Sequence, residues 1–245
     1  MEVHHHPEVG KKSFKEYLLE GLMIFLAVTM GFFAESYREH INNKEKERGY
    51  IISLVNNLKD DTASMNDAII ANQKKMKGLD TVLALSSGKM TQPSDRRLLY
   101  ASMGKISQYA NYGSNDATML QLKNAGGLQY IRHDHIADSI AAYDQVTRTI
   151  YTTEIPYTKS VGDAVDATAE LLVFNIKIDS TIYNSKDQAD KQYPLLTNDP
   201  KKIAIFFNKV YLEQGWTENY LKGLKSSLPA TIRLIELLKK EYDLD

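Results

Sequence analysis

Cysteine is absent from the chain. That excludes a disulfide scaffold, a thiolate zinc site and a cysteine nucleophile. It leaves the compartment open, because a helical domain of this size needs no covalent staples. Proline and glycine are sparse, at six and 13 among 245 residues, too few for a linker-rich or disordered chain. Neither sign of charge dominates: 30 Lys and Arg stand against 31 Asp and Glu, a net charge of −1. Such a balance carries no global electrostatic footprint for nucleic acid. Catalytic signatures are also lacking, with no H-E-x-x-H, no G-x-S-x-G, no Walker-type loop and no dinucleotide fingerprint. No acid–base pair or nucleophile can be named. The sequence therefore predicts a protein that is not an enzyme, with no cofactor and no metal.

Charge is missing altogether from Gly21 to Ala34, and Phe14 to Ala34 forms a largely apolar stretch of 21 residues. As a helix it is about 31 Å long, which matches a bilayer hydrocarbon core of roughly 30 Å. Three readings compete for it. A cleavable signal needs small residues at its end, but Phe32 and Phe33 precede the one candidate, Ala34. A core helix needs a polar stripe, but apolar residues cover every face from Leu22 to Phe33, with Thr29 the exception. A membrane anchor fits best, flanked by Lys11, Lys12, Lys15 and Tyr17 before it and Tyr37 and Arg38 after it. Within the span, Ala27 and Gly31 form a small-xxx-small pair followed by Ala34, and Gly21 and Glu20 lie near its start. Small residues allow close helix packing, and an acid inside the membrane boundary snorkels or pairs with a partner. Basic residues near the span number three before it and four after it (Lys11, Lys12, Lys15 against Arg38, Lys44, Lys46, Arg48), so the positive-inside rule is indecisive. Signal-anchor behaviour favours a cytoplasmic N-tail and an external C-terminal domain.

The chain divides on this basis into a polar tail (1–13), a transmembrane helix (14–35) and an all-α bundle domain (36–245). Three adjacent histidines, His4, His5 and His6, read as a solvated tail, since they cannot all face one ion in regular structure. From Glu35 to Ser87 there is no Pro, and only Gly49 and Gly78 interrupt the helix formers. Ile51, Val55, Leu58, Met65, Ile69, Met76, Leu79 and Leu83 fall on an alternating four-three spacing, with Thr62 and Asn72 as polar breaks. Such a heptad-like seam packs within a helical bundle of the same chain or against a second copy.

Shorter helices are predicted from about Ser94 to Tyr109 and from Ala117 to Asn124, the latter broken by Ala125-Gly126-Gly127. A long helix starts near Asp134. Pro156 is expected to kink or interrupt it before it resumes to about Ile178. Asp179 to Pro200 reads as loop-rich, with Thr91-Gln92-Pro93 an earlier turn. Pro200 suits the first turn of a last helix running to about Tyr242, with another kink near Pro229. His133-Asp134-His135 is the most chemical-looking cluster, and reads as a cap or surface group at a helix start.

The run Leu22 to Glu35 followed by Arg38-Glu39-His40 resembles a group of uncharacterised single-span bacterial membrane proteins with His-containing N-terminal tails. Leu122-Lys123-Asn124-Ala125-Gly126-Gly127-Leu128-Gln129-Tyr130-Ile131 is similar to the L-K-x-S-G-x-L-x-x-I segment of related single-span proteins classed as domains of unknown function, with Ala125 in place of Ser. The resemblance covers about 40 residues. It implies a small inner-membrane protein and transfers no catalytic residue. The expected function is a non-catalytic scaffold or accessory subunit of a membrane complex, with a lipid bilayer and other subunits or copies of itself as partners. The alternative is a periplasmic sensor or ligand-binding domain that signals through a partner.

Overall fold

The computed structural model describes residues 13–88, 93–124, 126–174 and 193–244. His4, His5, His6, Thr91, Gln92, Ala125 and most of the 179–200 segment lie outside the described residues. The described chain is all-helical. In order it forms α1 (Phe14–Ala84) with a short 3-10 turn (Leu85–Ser87), then α2 (Pro93–Ile106) and α3 (Ala117–Asn124). A second 3-10 turn (Gly127–Tyr130) leads into α4 (Asp134–Leu171), and α5 (Pro200–Glu241) closes the order. Among the described residues there is no strand, and Leu172 and Leu195 form an isolated antiparallel bridge.

Two compact units are present, Met1–Gly49 and Tyr50–Asp245. In the first, Ser13 opens α1 by donating its backbone N–H to Glu16 Oε2 at 2.7 Å, one half of a capping box. The apolar side chains of this unit are exposed. Phe25, for instance, is 63% exposed and Phe33 72%. Thr29, the polar residue of the stretch, donates its hydroxyl to the Phe25 carbonyl at 2.7 Å, so it adds no unsatisfied polar group. Although the apolar composition ends at residue 35, the compact core begins only at Tyr50.

The second unit packs α1, α4 and α5 side by side, with α2 and α3 closing the two ends. Leu79 and Val82 of α1 meet Leu99 of α2, Ala164 of α4 and Phe206 and Val210 of α5 at one end. Ile51, Leu54 and Leu58 meet Leu122 of α3, Ile136 and Ile140 of α4 and Leu238 of α5 at the other. Residue numbers on α1 and α4 therefore rise together, and those on α5 fall. Polar pairs report the same antiparallel α4–α5 register, with Lys209 3.3 Å from Asp163 and Lys202 3.7 Å from Glu170.

Burial on α1 follows a 3.5-residue rhythm, with a phase that differs from the expected seam. Ile51, Leu58, Met65, Asn72 and Leu79 form one buried column. The second column is Leu54, Asp61, Ala68, Lys75 and Val82. Val55 and Ile69 are buried beside it, whereas Thr62, Met76 and Leu83 are only half-buried. Two charged residues and an alanine hide that second column from a hydrophobic pattern.

Neither internal proline divides its helix: Pro156 lies inside α4 and Pro229 inside α5. Next to Pro156, Thr152 and Thr153 donate their hydroxyls to the carbonyls of Thr149 and Ile150, so neither side chain adds an unsatisfied polar group. At Pro200 the sequence and structure agree. Asp199 is the N-cap and accepts from Lys201 N at 2.9 Å, with Pro at the first turn. The glycine pair after α3 also has a cause. Gly126 takes φ 68°, and a Cβ on Gly127 would lie 2.8 Å from Leu122 Cα, so residue 127 must be small for the turn to fold back on α3.

Candidate functional site: a polar layer around residues 107–116

Residues 107–116 connect α2 to α3 without helical structure, yet Ala110 and Tyr112 are buried. A non-helical segment inside a bundle brings backbone N–H and C=O groups that must be satisfied away from water. The three long helices supply the partners. From α1, Lys75 Nζ donates to the Gln108 carbonyl at 2.7 Å and Asn72 Nδ2 to the Ala110 carbonyl at 2.7 Å. From α4, the Tyr157 hydroxyl accepts from Ala110 N at 3.0 Å. From α5, the Tyr220 hydroxyl accepts from Tyr112 N at 2.8 Å. Further along, Ser64 Oγ accepts from Gly113 N at 3.1 Å and Asp61 Oδ1 from Asn115 N at 2.6 Å.

The layer is held together laterally as well. Tyr157 and Tyr220 stack with centroids 4.7 Å apart and planes 8° from parallel, and Lys75 Nζ lies 5.0 Å from the Tyr157 ring centre, within cation–π reach. Lys75 is also 2.7 Å from Glu213 Oε1, with both side chains fully buried. Asp61 Oδ2 accepts from the Tyr143 hydroxyl at 2.9 Å, and Asn111 Nδ2 donates to Glu154 Oε1 at 2.6 Å.

Burial dominates the electrostatics. It pushes the Glu213 carboxyl up to about 7, with the Lys75 charge and hydrogen bond pulling the other way. It lowers Lys75 for the same reason, against the stabilising pull of Glu213. Burial raises Tyr157 to about 12 and lifts Tyr112, Tyr143 and Tyr220 further. These hydroxyls stay protonated throughout the physiological range, as hydrogen-bond donors or acceptors and not as bases.

Of the residues singled out in the sequence, Ile51, Leu58, Met65 and Leu79 line the core, and Met65 belongs to the cluster around Tyr157 and Tyr220. Glu20, Gly21, Ala27, Gly31 and Ala34 are exposed in the first unit, and a Cβ at Gly21 or Gly31 would have nothing within 4 Å. His133 occupies the N-cap of α4 without a side-chain cap bond, and Asp134 lies in the first turn. The rings of His133 and His135 stand 5.8 Å apart, with Nε2 atoms 3.9 and 3.7 Å from the Glu241 carboxylate. Among the described residues no group of three His, Cys, Asp or Glu is placed to hold a metal ion.

Sequence reasoning passed over Asp61, Lys75, Tyr157, Glu213 and Tyr220. The signal was present in the periodicity. On α5, Phe206, Val210, Glu213, Thr217, Tyr220, Leu224, Ser227 and Thr231 are all buried at alternating steps of four and three. A charged residue inside such a rhythm marks a buried polar layer.

Open depressions border the domain. One of about 160 Å³ lies between α1, α3 and α4 beside Asp61, Tyr143 and Arg148. Another, about 390 Å³, lies along α5 beside Tyr211, Leu212 and Trp216. The cations of the first are already engaged, since Lys123 reaches both oxygens of Asp144 at 3.0 and 2.9 Å and Arg148 adds a third contact at 2.5 Å. In the other unit, the start of α1 is long and apolar enough to cross a membrane, and none of its apolar window is buried. Comparison of the chain with protein-family models, with characterised proteins and with solved structures finds no match.

Proposed function

We propose that this is a single-pass membrane protein whose helical domain is a non-catalytic interaction module, a scaffold or accessory subunit of a membrane protein complex. The observation that carries the reading is the uncovered apolar surface from Leu22 to Phe33. Met23, Ile24, Phe25, Met30, Phe32 and Phe33 are all more than half exposed. Apolar area costs about 25 cal/mol per Å² in water, and a monomer rarely exposes a patch of this size. A bilayer removes that cost. The uncharged residues Gly21 to Ala34 meet the length requirement together with the apolar residues before Glu20.

The polar layer supports the non-catalytic part. Lys75, Asn72, Tyr157, Tyr220 and Asp61 each hold a backbone group of residues 107–116. Groups fixed in this way set the position of residues 107–116 and shape the surface on which a partner docks. Placement in a bacterial inner membrane, with the N-tail cytoplasmic and the domain on the other side, follows from the resemblance and from signal-anchor behaviour.

The test is purification of the full chain from its own membranes in a mild detergent, with quantitative mass spectrometry of what accompanies it. A reproducible partner at fixed stoichiometry is the expected result. Recovery of the chain alone as a monomer contradicts the subunit reading and favours a sensor domain, to be examined by ligand screening.

A further inference from the structure

Four buried polar atoms of Asn72, Glu213 and Thr217 make no hydrogen bond in the protein: Asn72 Oδ1, both Glu213 carboxyl oxygens and Thr217 Oγ1. Glu213 Oε1 faces the Lys75 ammonium at 2.7 Å, which leaves three without any partner. All three side chains belong to residues that are completely buried. An orphaned buried polar atom costs about 1–3 kcal/mol, and three on one interface call for a common explanation. Their placement supplies one. Asn72 lies one turn before Lys75 on α1, and Thr217 one turn after Glu213 on α5. Because the two helices are antiparallel, both displacements run the same way from the 2.7 Å Lys75–Glu213 contact. Asn72 Nδ2 is turned toward the carbonyls of Ala68 and Ala110, which leaves Oδ1 as the free end of the amide.

We propose that the α1–α5 interface encloses a bound water site formed by Asn72, Glu213 and Thr217. The donor count matches one water molecule. Two acceptors, the amide oxygen and the free carboxylate oxygen, take its two hydrogens, and the threonine hydroxyl donates to its oxygen. Three protein bonds are the usual number for a buried water. The neighbouring charges select water over an ion. The Lys75 ammonium repels a cation from the site, and the Glu213 carboxylate repels an anion. The site completes the polar layer: Lys75, Gln108 and the tyrosines satisfy one side of it, and water satisfies the side they do not reach.

The direct test is an experimental structure of the full chain in detergent at a resolution that shows ordered solvent. A peak within hydrogen-bond distance of Asn72 Oδ1, Glu213 Oε2 and Thr217 Oγ1 is the expected result. Direct bonding of these atoms to protein groups, or an empty gap between them, overturns the proposal. A second measurement uses the sign of a stability change. With water bound, Thr217→Val removes a satisfied hydroxyl and raises the unfolding equilibrium constant about tenfold, whereas Thr217→Ser keeps the bond and shifts it less. If the site is dry, Thr217→Val removes an orphaned hydroxyl and lowers the constant, which also overturns the proposal.

Discussion

Lys75 and Glu213 meet in the interior, Nζ to Oε1 at 2.7 Å, with no exposure of either side chain. Two charges taken out of water hold together only while both are present. Glu213→Leu leaves a buried ammonium with a single carbonyl partner, and is expected to destabilise the domain by about 3–5 kcal/mol. The double variant Lys75→Met, Glu213→Leu is expected to recover most of that loss. Urea unfolding of the full chain in detergent, arranged as a double-mutant cycle, measures both. Additive losses contradict the pairing.

The same pair makes stability depend on pH in a definite direction. Burial raises the Glu213 carboxyl from 4.5 to about 7, despite the opposing pull of Lys75. Between those values the folded state binds a proton that the unfolded state does not, so stability falls as pH rises toward 7. Lys75, lowered by burial, acts oppositely on the alkaline side: just below its ordinary value the unfolded chain binds the extra proton and stability rises with pH. Glu213→Gln is expected to flatten the acidic segment. Unfolding midpoints across that pH range check it, and parallel profiles for the two proteins rule it out.

The tyrosine hydroxyls act on particular backbone amides. Tyr220→Phe removes the acceptor for Tyr112 N and Tyr157→Phe the acceptor for Ala110 N. Each leaves a buried N–H unpaired, at about 1–3 kcal/mol. Hydrogen exchange resolves the effect locally. Residues 107–116 are expected to lose protection first, ahead of the α1–α3 end around Leu54 and Leu122.

Two glycines in this domain have opposite expectations. Gly127→Ala places a Cβ 2.8 Å from the Leu122 backbone and is expected to destabilise by about 1–3 kcal/mol. Gly215→Ala meets nothing within 4 Å in the middle of α5, and is expected to stabilise by up to about 1 kcal/mol. Thermal unfolding of the two variants gives both signs.

The helices were legible because their causes are local: periodic apolar residues, few breakers, and a proline at the start of α5. Pro156 does not interrupt α4, because loss of one N–H does not end a helix packed along its length against α5. The polar layer was illegible for a different reason. Asp61, Lys75 and Glu213 look like solvent-facing charges in isolation, and the non-helical run 107–116 that requires them is distant in sequence. Fitting α1 to apolar residues therefore selected Met76 and Leu83 over Lys75 and Val82, and placed a polar break at Thr62 beside the buried Asp61. The apolar stretch in the first unit was plain from its composition, because no tertiary partner is needed to define it.

Alkaline carbonate extraction of native membranes, followed by intact-mass measurement of the recovered chain, tests the membrane anchor most directly. The chain is predicted to stay with the lipid fraction and to keep the residues from Phe14 to Ala34. Release into the soluble fraction, or a mass showing cleavage after that stretch, would contradict the anchor and the function built on it.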